Sequence, residues 1–214
     1  MPDMSRNMQA KSVGKQTFQL LSDLITERKQ TDPFAPVTVV VPSQYAGVVL
    51  RRALAADQGL LNVRFMILPR LAEYLGSPTL AQNGISPLIP LIELASIRHI
   101  AIESGSDGPL SAVAQHEGLP GLLRRTFREL SRLDANDLSA LAKTDNLRAQ
   151  LVDWYRLFKE DNKKYYVHED LVQAAEDAVA LGTVTDTLRD IGFVVFYLLN
   201  DFTQAELRLA KRLI

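Results

Sequence analysis

The chain has 214 residues, of which 47% are hydrophobic and 23% charged, proportions typical of a globular protein and too apolar for a disordered one. Its formal net charge is -1, from 24 basic and 25 acidic side chains, so any nucleic-acid site has to be a local basic patch. Cysteine is absent, which excludes disulfides and thiolate metal sites. The sequence offers neither an export signal nor about 18 uninterrupted apolar residues, so we expect a cytoplasmic protein without membrane contact.

The first 75 residues predict an alternation of helices and buried strands. Apolar residues recur at helical spacing over residues 17–29, and further helices are predicted at 45–56 and 71–75. Between them, Val37–Val41 is a continuous β-branched run and Val63–Leu68 is predicted to be a second buried strand, and each is followed by a proline. Strands that are apolar on both faces are typical of a parallel sheet covered on both sides.

A different pattern begins at Gly76, where Gly, Pro, Ser and Asn crowd residues 76–90 and strand signals stop. Helices are predicted at 91–104, 121–133, 135–142, 147–162 and 169–181. A buried strand returns at Phe193–Leu199, and a helix follows at 203–214. We therefore predict an α/β fold in which residues 1–75 and 183–214 form one parallel sheet and residues 76–182 are a helical insertion. The pattern stops within a helix, which is typical of a fragment of a longer protein.

A partial phosphate-binding motif precedes the first helix. Such a loop needs glycines whose N–H groups surround phosphates, a Lys for the β and γ phosphates, and a Ser or Thr hydroxyl for Mg²⁺. Gly14 and Lys15 match, whereas Gln9 and Gln16 stand at the first glycine and hydroxyl positions. Taken alone, the pair favours an ordinary solvated start of a helix. As a nucleotide site it would be degenerate and comprise Gly14, Lys15, Gln16 and Thr17.

The order of four segments resembles AddB-type helicase-nuclease subunits of the actinobacterial kind and, more distantly, the first domain of UvrD-like helicases. Residues 37–44 followed by 50–54 resemble the second strand and helix of that domain, and residues 63–72 resemble the next pair. Residues 165–171, Tyr-Tyr-Val-His-Glu-Asp-Leu, resemble the segment that closes the helical insertion. Residues 194–207, with Asp201-Phe202-Thr203, resemble the Walker B strand and its continuation. The resemblance implies a P-loop sheet and covers nearly the whole chain.

The chain departs from active helicases at the metal site. Their Walker B strand ends in an Asp-Glu pair that holds Mg²⁺ and orients the attacking water. Alignment on Asp201 places Tyr197 and Leu198 at those two positions, and neither side chain ligates Mg²⁺. We therefore expect no ATP hydrolysis, no catalytic residue, no metal and no cofactor in this fragment. The resemblance implies that ATP and Mg²⁺ act in a partner motor subunit.

The resemblance implies a function in double-strand-break repair and recombination. This domain would be non-catalytic and would hold DNA together with an AddA-like helicase subunit or downstream domains of its own chain. The full-length parent would be an exodeoxyribonuclease and helicase subunit of the PD-(D/E)xK nuclease family, with the nuclease far downstream. Two alternatives are an active P-loop ATPase and a purely structural interaction domain.

Two groups of residues are candidates for contact with DNA. One follows the predicted strand ends and includes the adjoining helix: Ser43, Gln44, Arg51, Arg52 and Arg70. The other is a basic stripe on the helix at 121–133, led by Arg124 and Arg128. Arginines at that spacing are more often a solvated face paired with neighbouring acids, so we expect the first group to matter more. Asp161-Asn162-Lys163 fits half of a nuclease motif but ends a predicted helix, and the three histidines lack metal-ligand spacing.

Overall fold

The computed structural model describes residues 15–104 and 107–214. The helices are α1 Lys15–Thr31, α2 Gln44–Gln58, α3 Leu68–Gln82, α4 Pro90–Glu103, α5 Leu119–Leu130, α6 Ala135–Ala142, α7 Asn146–Asp161, α8 His168–Ala180, α9 Thr185–Ile191 and α10 Gln204–Leu213. The strands are β1 Val37–Val41, β2 Val63–Ile67, β3 Ser86–Pro87, β4 Tyr165–Tyr166 and β5 Phe193–Phe196. These elements form two compact units, one from residues 1–78, described from Lys15, with Val172–Ile214, and the other from Thr79–Leu171.

The first unit contains a parallel sheet with the strand order β2-β1-β5. Val37 pairs with Val63 on one side and with Phe193 on the other, so the three strands run in register. Each residue of β1 is buried, as a run of β-branched side chains at the centre of a covered sheet requires. The prediction that these three segments lie in one parallel sheet is confirmed.

One face of this sheet is covered by α1 and α2. Leu21 and Ile25 of α1 pack with Val39 of β1, and Leu50 and Leu54 of α2 join the same cluster. Helix α2 begins at a cap: the Ser43 hydroxyl accepts a hydrogen bond from the Ala46 N–H at 3.1 Å. The odd-numbered residues of β1 thus lie against two helices placed side by side.

A buried link joins the sheet to the end of α9. The Thr38 hydroxyl donates to the Ile191 carbonyl at 2.7 Å, and Gly192 then turns the chain into β5 with φ of 69°. A Cβ at Gly192 would lie 2.1 Å from the Pro36 carbonyl oxygen, which itself accepts from the Phe193 N–H at 3.0 Å. Glycine is required here both by the backbone conformation and by this close approach.

The second unit is built on α4, α5 and α7, whose buried side chains form one cluster. Phe127 of α5 lies at its centre, with its ring centroid 5.6 Å from that of Tyr155 and 5.2 Å from that of Phe158. Ile97 of α4 and Trp154 of α7 are buried in the same cluster, and α6 contributes Leu138 and Leu141 at its border. Each helix presents an apolar stripe inward, as their sequence periodicity predicts.

Three predicted features are wrong in detail. Helix α3 begins at Leu68 and continues through Pro78 to Gln82, so much of the expected loop over 76–90 is helical. Leu71, Leu75 and Leu80 are buried along α3, and their burial outweighs the roughly 3 kcal/mol cost of an internal proline.

The strand signals do not stop at residue 76. Strands β3 and β4 pair in parallel, Ser86 with Tyr165, inside the region predicted to be helical throughout. A strand of two residues is too short to show the alternation of apolar and polar residues from which strands are predicted. Helix α9, within the stretch 182–192 left without an element, was likewise not predicted.

The predicted strands 63–68 and 193–199 are shorter in the structure. Leu68 already belongs to α3, and β5 ends at Phe196. Leu198 adopts φ of 52°, a left-handed conformation that a strand cannot continue through. Among the described residues, the helices are too short or too polar to cross a bilayer.

Candidate nucleic-acid interface

The carboxyl ends of β1, β2 and β5 meet at one edge of the sheet, because the three strands are parallel and in register. The chain leaves this edge through Pro42–Gln44, through Leu68–Arg70 and through Tyr197–Phe202. Ligands of open parallel sheets bind outside this edge, where loops and helix starts surround a crevice. We call it the carboxyl edge. Ser43 and Gln44 follow β1, Arg70 follows β2, and Asp201 lies five residues beyond the end of β5.

The amino end of α1 also lies on this side. Near the other end of α1, the Arg28 guanidinium lies 4.8 Å from the ring centroid of Phe193, the first residue of β5. Lys15 stands 13 residues earlier, about 20 Å along the helix, whereas β5 spans about 10 Å from Phe193 to Phe196. Since α1 runs back along the sheet, exposed Lys15 reaches the level of the carboxyl edge. Gly14 lies outside the described residues, while Gln16 and Thr17 occupy the first turn of α1.

At the start of α2 the hydroxyl of Ser43 is engaged as the helix cap, and the side chain of Gln44 is exposed. Tyr45 follows and is largely exposed, with 79% of its surface accessible. An exposed aromatic ring beside helix N–H groups is a platform on which a nucleic-acid base can stack. The sequence analysis predicted only that a helix begins at Tyr45 and did not identify its ring as a possible contact. Its position two residues after the Ser43 cap, outside the buried apolar stripe, was the available signal.

Arg70 is held by its own helix. Its guanidinium donates to the Glu73 carboxylate at 2.6 Å and lies 5.4 Å from the ring centroid of Tyr74. The hydrogen bond from Arg70 to Glu73 raises the pKa of the guanidinium above its usual range, with the negative charge of Glu73 acting in the same direction. This pair is exposed, so a phosphate competes with Glu73 in water at little cost.

Arg51 and Arg52 lie away from the carboxyl edge. They stand seven and eight residues beyond Gln44, about 10–12 Å down α2. The Arg51 guanidinium lies 5.7 Å from the ring centroid of Phe65, the middle residue of β2. Arg52 is exposed on the outer surface. A nucleic acid that contacts both these arginines and Gln44 has to run along α2.

The stripe on α5 faces an acid that the sequence analysis did not single out. Arg124 donates to the buried Glu93 of α4 at 2.7 Å, and Arg128 approaches the same carboxylate at 3.7 Å. Glu93 lies in the first turn of α4, where the helix dipole also favours a negative charge. Arg124 and Arg128 therefore share one carboxylate, which reduces the positive charge that they offer to phosphates. In the sequence, Glu93 lies near the start of a predicted helix, and that position gives no indication that Arg124 and Arg128 are its partners.

At the Walker B-like positions the structure brings no acids together. Tyr197 continues beside β1, donating its N–H to the Val40 carbonyl at 2.8 Å, and burial raises the pKa of its phenol. Leu198 is partly exposed, and Asp201 is exposed beyond it. Within residues 15–104 and 107–214, His, Asp and Glu form no group of three that could hold a metal ion.

The comparison with protein-family models returned no match, and the comparison with curated protein sequences returned no significant match. The resemblance to AddB-type subunits is thus carried by the order of segments within this chain.

Proposed function

We propose that this chain is a non-catalytic helicase-like domain of an AddB-type subunit, with a P-loop type of sheet, which holds single-stranded DNA and the partner motor subunit during double-strand-break processing. The observation that carries the proposal is the carboxyl edge, at which polar and cationic residues follow three parallel strands. In open α/β sheets this edge is the usual place for a ligand.

The residues at the carboxyl edge support a binding role in preference to ATP hydrolysis. Tyr197 and Leu198 offer no carboxylate to Mg²⁺ where an active helicase has two. Lys15 remains available to an anion, and Tyr45 offers a ring to a base. A domain with these residues binds a DNA strand without cutting it or moving along it.

A purely structural role is the second candidate, and the ion pairs that several arginines form with carboxylates favour it. Arg70, Arg124 and Arg128 each lie near a carboxylate. With a formal net charge of -1, the chain has few cations left for phosphates, so binding to DNA should be weak and should fall steeply with salt.

Fluorescence anisotropy with a labelled single-stranded oligonucleotide, measured over a series of salt concentrations, tests the DNA part of the proposal. The variant Arg51→Gln with Arg52→Gln removes two exposed cations from α2. If both contact phosphates, the slope of the logarithm of affinity against the logarithm of salt should fall by about 1.4, that is about 0.7 for each contact with a single strand.

The matched control is Arg125→Gln with Lys143→Gln, which makes the same change in net charge at exposed positions of the second unit. It should leave the slope unchanged. Arg124 is unsuitable as a control because its removal strands the buried Glu93 carboxylate. Equal and unchanged affinities for both double variants, or no binding by the unsubstituted protein at the lowest salt, contradict the DNA contact on α2 and favour the structural role.

A further inference from the structure

The outer face of α2 differs from that of its neighbour α1, although both helices cover the same face of the sheet. The exposed residues of α1 are all polar or charged, as is usual for a helix that faces water. On α2, by contrast, exposed aliphatic and aromatic residues dominate. Tyr45 is 79% exposed, Val48 47% and Val49 46%. Residues 44–56 contain no acid.

The exposed residues form one stripe, since Tyr45, Val48, Val49 and Arg52 follow the spacing i, i+3, i+4, i+7. We call these four residues the α2 stripe. Aliphatic side chains gain nothing from phosphates, so Val48 and Val49 do not belong to a nucleic-acid surface. They are typical of a surface that another protein covers.

The α2 stripe is complementary to itself. When two copies of the helix are placed antiparallel, Val48 of each meets Val49 of the other, and Tyr45 of each meets Arg52 of the other. A guanidinium over a tyrosine ring is a favourable contact, so the cation needs no carboxylate from its partner. This is the arrangement of a two-fold symmetric interface, in which one surface meets its own copy.

We propose that the α2 stripe is a self-association surface, through which two copies of this chain pack α2 against α2 about a two-fold axis between Val48 and Val49. The surface contributes few side chains, so the association is weak and reversible in the range of transient contacts. Tyr45 and Arg52 are also candidates for contact with DNA, so self-association and DNA binding compete for these two residues.

The absence of cysteine from the sequence allows a clean test by disulfide trapping. Val49→Cys places one thiol beside the proposed axis, where it approaches its own copy closely enough for a disulfide. Gln19→Cys is the matched control, since it lies exposed on α1, over the same face of the sheet. Both variants of the chain are incubated in oxidised glutathione, and the covalent dimer is followed by non-reducing electrophoresis.

Val49→Cys should form the covalent dimer at least about tenfold faster than Gln19→Cys, because association raises the local concentration of the two thiols. Adding Arg52→Glu to Val49→Cys should bring the rate back to that of the control, since two acids would then face two tyrosine rings. Equal rates for the two single variants overturn the proposal, as does a rate for Val49→Cys that Arg52→Glu leaves unchanged.

Discussion

Substitution of Gly192 by alanine should destabilise the chain far more than the same substitution at Gly182. Both glycines have φ of 69°, so both pay the cost of a left-handed conformation, about 1–2 kcal/mol for alanine. At Gly182 nothing lies within 4 Å of the added Cβ, whereas at Gly192 the Cβ would lie 2.1 Å from the Pro36 oxygen. Gly192 also has ψ of -138°, a conformation almost restricted to glycine, so the pair measures the combined effect of the close approach and of this ψ beyond that of a positive φ.

The clash can be expressed as a displacement. A carbon and a carbonyl oxygen normally approach no closer than about 3.3 Å, so the chain has to move by about 1.2 Å. That movement breaks the hydrogen bond from the Phe193 N–H to Pro36, which costs about 1 kcal/mol or more in a buried position. Adding the strain of a glycine-specific conformation gives about 3–5 kcal/mol for Gly192→Ala, against about 1–2 kcal/mol for Gly182→Ala.

Urea denaturation followed by far-ultraviolet circular dichroism measures both free energies of unfolding. The midpoint for Gly192→Ala should lie well below that for Gly182→Ala, with a similar dependence on urea. Equal destabilisation by the two substitutions would show that α9 and β5 are not joined as described. A Gly192→Ala protein too unstable to purify, beside a Gly182→Ala protein that purifies normally, agrees with the expected order.

Two further predictions concern buried ionisable groups. The pKa of Glu176 lies below its usual range because, although burial raises it, hydrogen bonds from Arg208 and Arg212 outweigh that effect. The stability that Glu176 gains from these hydrogen bonds is present above the usual glutamate pKa and is lost as the pH falls through the lowered pKa. Glu176→Gln should therefore flatten the acid side of a plot of unfolding free energy against pH. Burial, with the nearby charges of Asp170 and Glu169, raises the pKa of Tyr155 to about 12. Its contribution is present below the unfolded value near 10 and is lost as the pH rises. Burial also raises the pKa of Tyr197, so Tyr155→Phe should remove one late-ionising tyrosine, and not both, from the ultraviolet titration; an unchanged titration refutes this.

The three strands of the larger sheet and most helices could be predicted from the sequence because their signals are local. Val37–Val41 is β-branched throughout, and the structure places it at the centre of the sheet. Helix α6 has the predicted bounds, Ala135–Ala142, since Asp134 accepts hydrogen bonds from two N–H groups at its start. Proline misled the prediction at α3, where the burial of Leu71 and Leu75 before Pro78 and of Leu80 after it prevailed.

The environment of the candidate site could not be predicted in the same way. The partner of Arg124 is 31 residues away in the sequence, and spacing within one helix carries no information about it. Arg51 and Arg52 follow the strand end closely along the chain, yet the 1.5 Å rise of a helix takes them away from the carboxyl edge. The resemblance to AddB-type subunits and the DNA contacts remain predictions.

The pairing of β1 with β5 has a consequence for the order in which the chain folds. The buried bond from Thr38 to Ile191 joins residues separated by 153 positions. During synthesis the ribosome releases the whole of Thr79–Leu171 before Phe193 appears, so that unit has the time to acquire its own core first. Until then β1, whose five residues are all buried in the finished sheet, has β2 alone as a neighbour among the described strands and leaves one edge uncovered. Closing so long a loop makes completion of the sheet the slow step and exposes the nascent chain to aggregation through β1.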